Sequence, residues 1–242
     1  MGYRSVTYRK QVEAGGGSPT AVSVDEGIAT VKRMAAIKGD RPYKNGKKRK
    51  AKDQTIEIVL HLGIDPKHAD QMLRGAISLP KGLGKSRTVI AFCDGAMAAA
   101  AMEAGALEAG AEELIKKVEG GWFEFDVAIA MPRTMKVISK LGKLLGPKGL
   151  MPSPKNGTVT DDVKTAVREF KAGKIEFRND AAGNVHAGVG KLSFAENDLK
   201  ANIEAFIEHI RALKPNTVKG VYIQNVTVSA TMSPGIALAV QG

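Results

Sequence analysis

Residues 55–62, TIEIVLHL, alternate without a break. Ile56, Ile58, Leu60 and Leu62 point one way; Thr55, Glu57, Val59 and His61 point the other. A period of two with one apolar face predicts a half-buried strand. Such a strand needs a second layer over its apolar face. The chain before it offers one helix only. Ser23-Val24-Asp25-Glu26 reads as a capping box, with Ser23 as N-cap and Glu26 three residues on. Ile28, Val31 and Ala35 follow at helical spacing, so a helix is expected over 24–37. One helix and one strand cannot bury their faces alone. The partners must come from elsewhere in the chain.

They return near the C-terminus. Ile175–Asn179 and Val185–Val189 read as a hairpin turning at Ala182-Gly183-Asn184. Ser193–Glu196 reads as a second capping box. Its helix carries Leu199, Ile203, Phe206, Ile207, Ile210 and Leu213 on one face. Val221–Thr231 reads as a strand whose inward set changes phase between Ile223 and Val226, the mark of a bulge. The two ends together predict one two-layer α+β domain.

Between them the texture changes. Short apolar strands at Thr88–Phe92 and Asp126–Ala130 alternate with helices at Ala96–Glu103, Glu112–Val118, Thr134–Lys140 and Asp161–Lys171. That pattern indicates a parallel, three-layer Rossmann-like α/β unit. The fold expected is therefore a discontinuous domain of residues 1–82 plus 173–242, with an α/β domain of residues 83–172 inserted in it. Two chain crossings, near Pro80–Gly84 and Ala172–Lys174, would form a hinge. Residues 1–22 read as a polar, basic tail, and Gly142–Lys155 as a loop.

Charge narrows the partner. Lys plus Arg number 36 against 25 Asp plus Glu, a net +11. This excess favours an anionic partner, nucleic acid or an acidic membrane surface. Aromatics are only 5% of the chain, which argues against a binder that stacks single-stranded bases and for a folded, phosphate-dense target. The N-terminus lacks the apolar core of a secretory signal, and Val221–Gly242 is too interrupted by polar residues for a membrane span. A single cysteine, Cys93, excludes an intrachain disulfide and reads as a buried structural thiol. A soluble cytosolic protein is expected.

Motif tests for an enzyme fail. Lys81–Ser86 resembles the end of a P-loop, but Leu79 stands where its first glycine belongs, and the segment precedes a strand. A glycine turn is the competing reading. His61, His68, His186 and His209 have no zinc spacing. Asp161-Asp162 suits the first turn of the following helix. Two basic runs remain. Lys44–Lys52 lies in a basic interruption, Gly39–Asp53. From Val127 to Thr160 there is no Asp or Glu, while Lys143, Lys148 and Lys155 lie in a Gly/Pro-rich stretch. Composition leaves phosphate contact and a solvated surface loop both open there. Thr227, Ser229 and Thr231 alternate on the last strand as Thr55, Glu57 and His61 do on the first. If these strands are neighbours, they form a flat polar sheet face, which is also what an ordinary solvated sheet presents.

Long segments carry a resemblance. LGIDP (62–66), RGAISLPKGLGK (74–85), LGKLLGPKGLMPSPKNGTV (141–159), AGKIEFRND (172–180) and TMSPG (231–235) occur in order. On these the chain resembles the ribosomal protein L-one family of the large subunit's mobile lateral stalk, bacterial type. The resemblance covers nearly the whole chain. It implies no enzyme, no cofactor, no membrane and no small-molecule substrate. It implies a ribosome-bound cytoplasmic protein whose partners are the stalk arm of large-subunit rRNA, exit-site tRNA and, as a translational repressor, its own mRNA leader. Carried over by position, the RNA contact comprises Thr55, Glu57, Thr231 and Met232, with Asp180 a further carry-over. Lys52, Arg178, Lys191 and Lys219 would supply affinity. Lys143, Lys148 and Lys155 would form a tRNA- or rRNA-contacting loop. Two positions depart from the family. Lys52 stands where an aromatic is common, and Ser233 where a glycine is usual, adding a Cβ beside the RNA path. The rivals are a nucleotide-using α/β enzyme and an unselective basic nucleic-acid chaperone.

Overall fold

The computed structural model describes residues 6–16, 21–37, 53–68 and 70–240. Lys52 and the basic run Lys44–Lys52 lie outside the described residues. The chain divides into two compact units. One comprises residues 1–73, 79–84 and 178–242; the other comprises 74–78 and 85–177. Residues 74–78 and 173–177 thus fall in the second unit and 83–84 in the first, on the other side of the boundaries expected from the sequence.

In the first unit, β1 (Thr55–Leu62), β7 (Asn184–Lys191), β8 (Ile223–Ala230) and β9 (Ile236–Leu238) form a four-stranded antiparallel sheet in the order β7-β1-β8-β9. Ile56, Ile58, Leu60 and Leu62 are buried, as the alternation requires. Ile28, Val31 and Met34 of α2 (Val24–Ala36) and the apolar stripe of α8 (Glu196–Ala212), from Leu199 to Ile210, are buried too, with α2 packed against β8 and α8 against β7. Ser23 caps α2, its hydroxyl accepting from the Glu26 N–H at 3.3 Å. The bulge in β8 is present: Leu62 pairs with Ile223 and His61 with Asn225, so Gln224 is the extra residue.

Four expectations change in this unit. Val6–Ala14 is a helix, α1, not a tail. Its buried residue is polar: Gln11 donates to the Met34 carbonyl at 3.3 Å, so no apolar stripe announced it. The second capping box does not form. Ser193 instead bonds Asp53, through N at 3.1 Å and Oγ at 2.7 Å, and Ala195 becomes the N-cap. Leu213 lies past the end of α8 and is 41% exposed. The expected hairpin is a single bridge, Asn179 to Val185. Its first strand, β6 (Lys174–Arg178), pairs with β2 (Arg74–Ser78) instead.

In the second unit, β3 (Val89–Phe92), β4 (Glu108–Gly110) and β5 (Val127–Ala130) form a parallel sheet in the order β4-β3-β5. Val89 and Ala91 face Ala101 of α3 (Gly95–Glu103) and Val167 and Phe170 of α7 (Val163–Ala172). Ile90 and Phe92 face Leu114, Ile115 and Val118 of α4 (Glu112–Glu119). Burial on both sides explains why these strands are continuously apolar. Cys93 is buried, and burial pushes its thiol pKa up. Asp162 is the N-cap of α7, accepting from the Thr165 N–H at 3.1 Å. Beyond Met135–Ile138 (α5), the stretch expected as a loop contains a short helix, α6 (Gly142–Leu145), and a 3-10 turn, Pro154–Asn156.

Candidate nucleic-acid interface

The mixed face of the four-stranded sheet lies opposite its helices. Register places Glu57 between Gly188 and Ser229, Val59 between His186 and Thr227, and His61 between Asn184 and Asn225. The β7 register shifts between Ile56 and Glu57, which turns Gly188 rather than Val189 toward Glu57's flank. Glu57 is exposed, with a glycine on one side and a serine on the other. The glycine makes room for Leu83, whose Cδ1 lies 3.4 Å from where a Gly188 Cβ would stand.

At one end of this face a hydrogen-bonded lattice gathers several sequence-named residues. Lys191 Nζ donates to Thr55 Oγ1 at 2.7 Å. Thr55 N–H donates to Thr231 Oγ1 at 3.2 Å, while the Thr231 hydroxyl donates back to the Thr55 carbonyl at 3.1 Å. Met232 N–H donates to Gln54 Oε1 at 3.0 Å, and the Met232 side chain is 66% exposed. Ser233 turns inward: its Oγ accepts from the Ala230 N–H at 2.9 Å and donates to the Pro234 carbonyl at 3.2 Å. The added hydroxyl therefore braces the 231–235 turn, and no non-glycine described residue has positive φ. Gln54 was not picked out in the sequence. It lies one residue outside the alternating run, so no period marks it.

Asp180, Arg178 and Lys219 do not join this lattice. Asn184 pairs with His61, six residues along β1 from Thr55, about 20 Å away at strand rise. Asp180 stands beside Asn184 and works as a turn anchor. Its Oδ1 accepts from the Ala182 and Asn184 N–H groups, both at 2.8 Å, and its Oδ2 from Asn184 Nδ2 at 3.0 Å. The Asn184 bonds lead in holding its carboxyl well below the usual carboxylate range. A depressed folded pKa adds stability above the unfolded value near pH 4, which is lost as pH falls through the folded one. Asp180→Asn is therefore expected to flatten the acid limb of the stability curve below about pH 4. Urea midpoints across pH test this; an unchanged limb would refute the anchor. Lys219 is exposed in the turn after α8, and Arg178 is exposed at the end of β6.

The Lys81–Ser86 segment is the glycine turn. Gly82 and Gly84 have φ of 63° and 70°. Buried Asn202 accepts from the Lys81 N–H at 3.0 Å and donates to the Gly82 carbonyl at 3.0 Å. In the second unit, Lys143, Lys148 and Lys155 are all exposed. Lys148 Nζ sits 3.1 Å from the Phe123 ring centroid, a cation–π contact. Asn156 is 5% exposed and roots the 3-10 turn. It accepts from Arg74 Nε at 2.6 Å and donates to the Glu176 carboxylate. Burial raises the Glu176 pKa, opposed by the charges of Arg74 and Arg87. This stretch is thus an anchored, cation-bearing surface.

The family described as "Ribosomal protein L1p/L10e family" matches residues 43–234. Over 186 residues the chain is 53% identical to the "Large ribosomal subunit protein uL1" of Chlorobium luteolum, an alignment covering 77% of this chain and 81% of that protein.

Proposed function

The chain belongs to the ribosomal protein L1p/L10e family, in its bacterial type, and on that premise we propose that it is a large-subunit constituent that binds rRNA through the polar sheet face. The observation that carries the reading is the Thr55–Lys191–Thr231 lattice beside an exposed Glu57. Threonine hydroxyls and Lys191 can meet ribose 2′-OH and phosphate. Glu57 repels phosphate, and can accept from a 2′-OH or a base amino group, so it selects rather than attracts. The net charge of +11 supplies sequence-independent affinity.

The finer roles belong to the same proposal. The protein forms the stalk at the exit site and assists release of deacylated tRNA, with Lys143, Lys148 and Lys155 offering a phosphate-contacting surface. It represses its own translation by binding its mRNA leader. The two units act as a discontinuous domain and an inserted one, with the chain crossings as hinge. It is ribosome-bound in the cytoplasm, and no catalytic step is assigned. Among the described residues no helix is long and apolar enough to cross a membrane.

The test is competition between the stalk-arm fragment of large-subunit rRNA and an unrelated duplex of equal length, across a salt series. A preference for the stalk arm that persists at high salt is expected. Equal binding that collapses together would leave charge alone and sink the proposal.

A further inference from the structure

One apolar side chain stands on the polar face and comes from outside the sheet. Along β7, Asn184, His186 and Gly188 alternate with buried Val185 and Ala187, so Gly188 lies on the polar face with its partner Glu57. The space a side chain at 188 would take is filled by Leu83, with Thr55 Cγ2 also 3.4 Å from that Cβ position. Leu83 is half-buried, and the core under α2 and α8 lies on the other face of the sheet. Its methyl groups thus stand against Thr55 and on the flank of Glu57.

The turn that carries Leu83 is built around it. Gly82 and Gly84, on either side, both have left-handed φ. Buried Asn202 fixes the Lys81 N–H and the Gly82 carbonyl. Gly84 backs onto Phe194 and the stem of Lys191. A Cβ at 84 would stand 2.6 Å from Phe194 Cε1 and 3.2 Å from Lys191 Cγ, so a side chain is excluded there. The leucine is thereby presented to the sheet face at a fixed place, next to the threonine whose hydroxyl Lys191 holds.

Chemistry narrows what it meets. A carboxylate surrounded by water exchanges one partner for another at little net gain. Methyl groups on its flank exclude water once a ligand closes the open side, and the hydrogen bond it accepts then counts for more. Methyl groups gain nothing from phosphate. They gain from the C–H side of a ribose, while Lys191 and the threonine hydroxyls offer the neighbouring phosphate its contacts.

We propose that Leu83 is an RNA-contacting residue: it packs on the C–H side of one ribose and keeps water from the hydrogen bond that Glu57 accepts from the 2′-OH of that ribose. The inference rests on the RNA-binding reading above.

Leu83→Ala and Leu83→Met test it, with stalk-arm fragments carrying a single 2′-deoxy nucleotide at each position in turn. Leu83→Ala should weaken binding of the unmodified fragment about threefold to tenfold, the scale of one or two buried CH₂ groups. The salt slope should not change, because no cation is lost, and neither should binding to the unrelated duplex. Leu83→Met keeps the apolar cover and should bind as wild type does. For wild type, one deoxy position should cost about fivefold or more. In Leu83→Ala the cost at that position should fall to about twofold or less, because the two losses overlap. A side chain that only braces the turn would lower the urea midpoint and weaken both RNAs alike, with every deoxy cost unchanged; that result overturns the inference. So does wild-type affinity in Leu83→Ala, with the function left standing. Stalk-arm affinity lost with all deoxy costs unchanged would put Leu83 against something other than a ribose and overturn the assignment. If wild type shows no preference for the stalk arm, the function fails and this inference with it.

Discussion

Asn202→Leu is expected to destabilise the first unit by about 3 kcal/mol or more, the largest single-residue effect outside the apolar core. Asn202 is fully buried on α8. Besides the Lys81 N–H and the Gly82 carbonyl, its amide donates to the Val189 carbonyl at 2.7 Å. One side chain thus satisfies a loop donor, a loop acceptor and an acceptor next to the β7 register shift. Leucine keeps the branched shape, is bulkier, and strands all three. The glycine turn at 82–84 has no regular ladder; beside its own bond from the Gly82 N–H to the Leu79 carbonyl at 3.1 Å, this amide tethers it to α8. Urea unfolding, followed by a probe in this unit, measures the loss. A change below about 1 kcal/mol would mean that water replaces the amide, and the tether would be discarded.

The polar face should respond in the opposite way, with large effects on binding and small ones on stability. Thr231→Val keeps shape and the backbone bond from Thr231 N–H to the Thr55 carbonyl at 3.0 Å. It removes the hydroxyl that both accepts from and donates to Thr55. Affinity for the stalk-arm fragment should fall about tenfold or more, near 1.4 kcal/mol, with the salt slope unchanged because no cation is lost. Glu57→Gln gives a sharper sign. Removing a carboxylate from a basic protein should strengthen binding to unrelated duplex, yet weaken binding to the stalk arm, because the selective acceptor is gone. Both affinities rising together would make Glu57 a mere source of repulsion and remove it from the site.

By itself, the amino-acid sequence determined the elements whose information is local. The alternation of 55–62, the cap at Ser23, the stripe from Leu199 to Ile210 and the bulge near Gln224 all follow from periods and capping chemistry that act within a few residues. The continuously apolar strands at 89–92 and 127–130 announced a sheet covered on both faces for the same reason. The family, too, was legible, because long ordered segments are specific where short motifs are not. Tertiary structure decided what depends on partners distant in sequence. Ser193 looks like a cap until Asp53, 140 residues away, takes its hydroxyl. β6 looks like half of a hairpin until β2 supplies its neighbour. Gln11 gives no helical signal because what it buries is a hydrogen bond to α2, not apolar surface. Asp180 gives no sign in the sequence of its turn partners; only the closed turn brings the Ala182 and Asn184 N–H groups to it. Lys219 reads as a neighbour of Thr231 until the strand between them places it at the far end. A side chain's residue type states what it can bond, but which groups come within reach is set by strand pairing and layer packing, and those are properties of the whole fold.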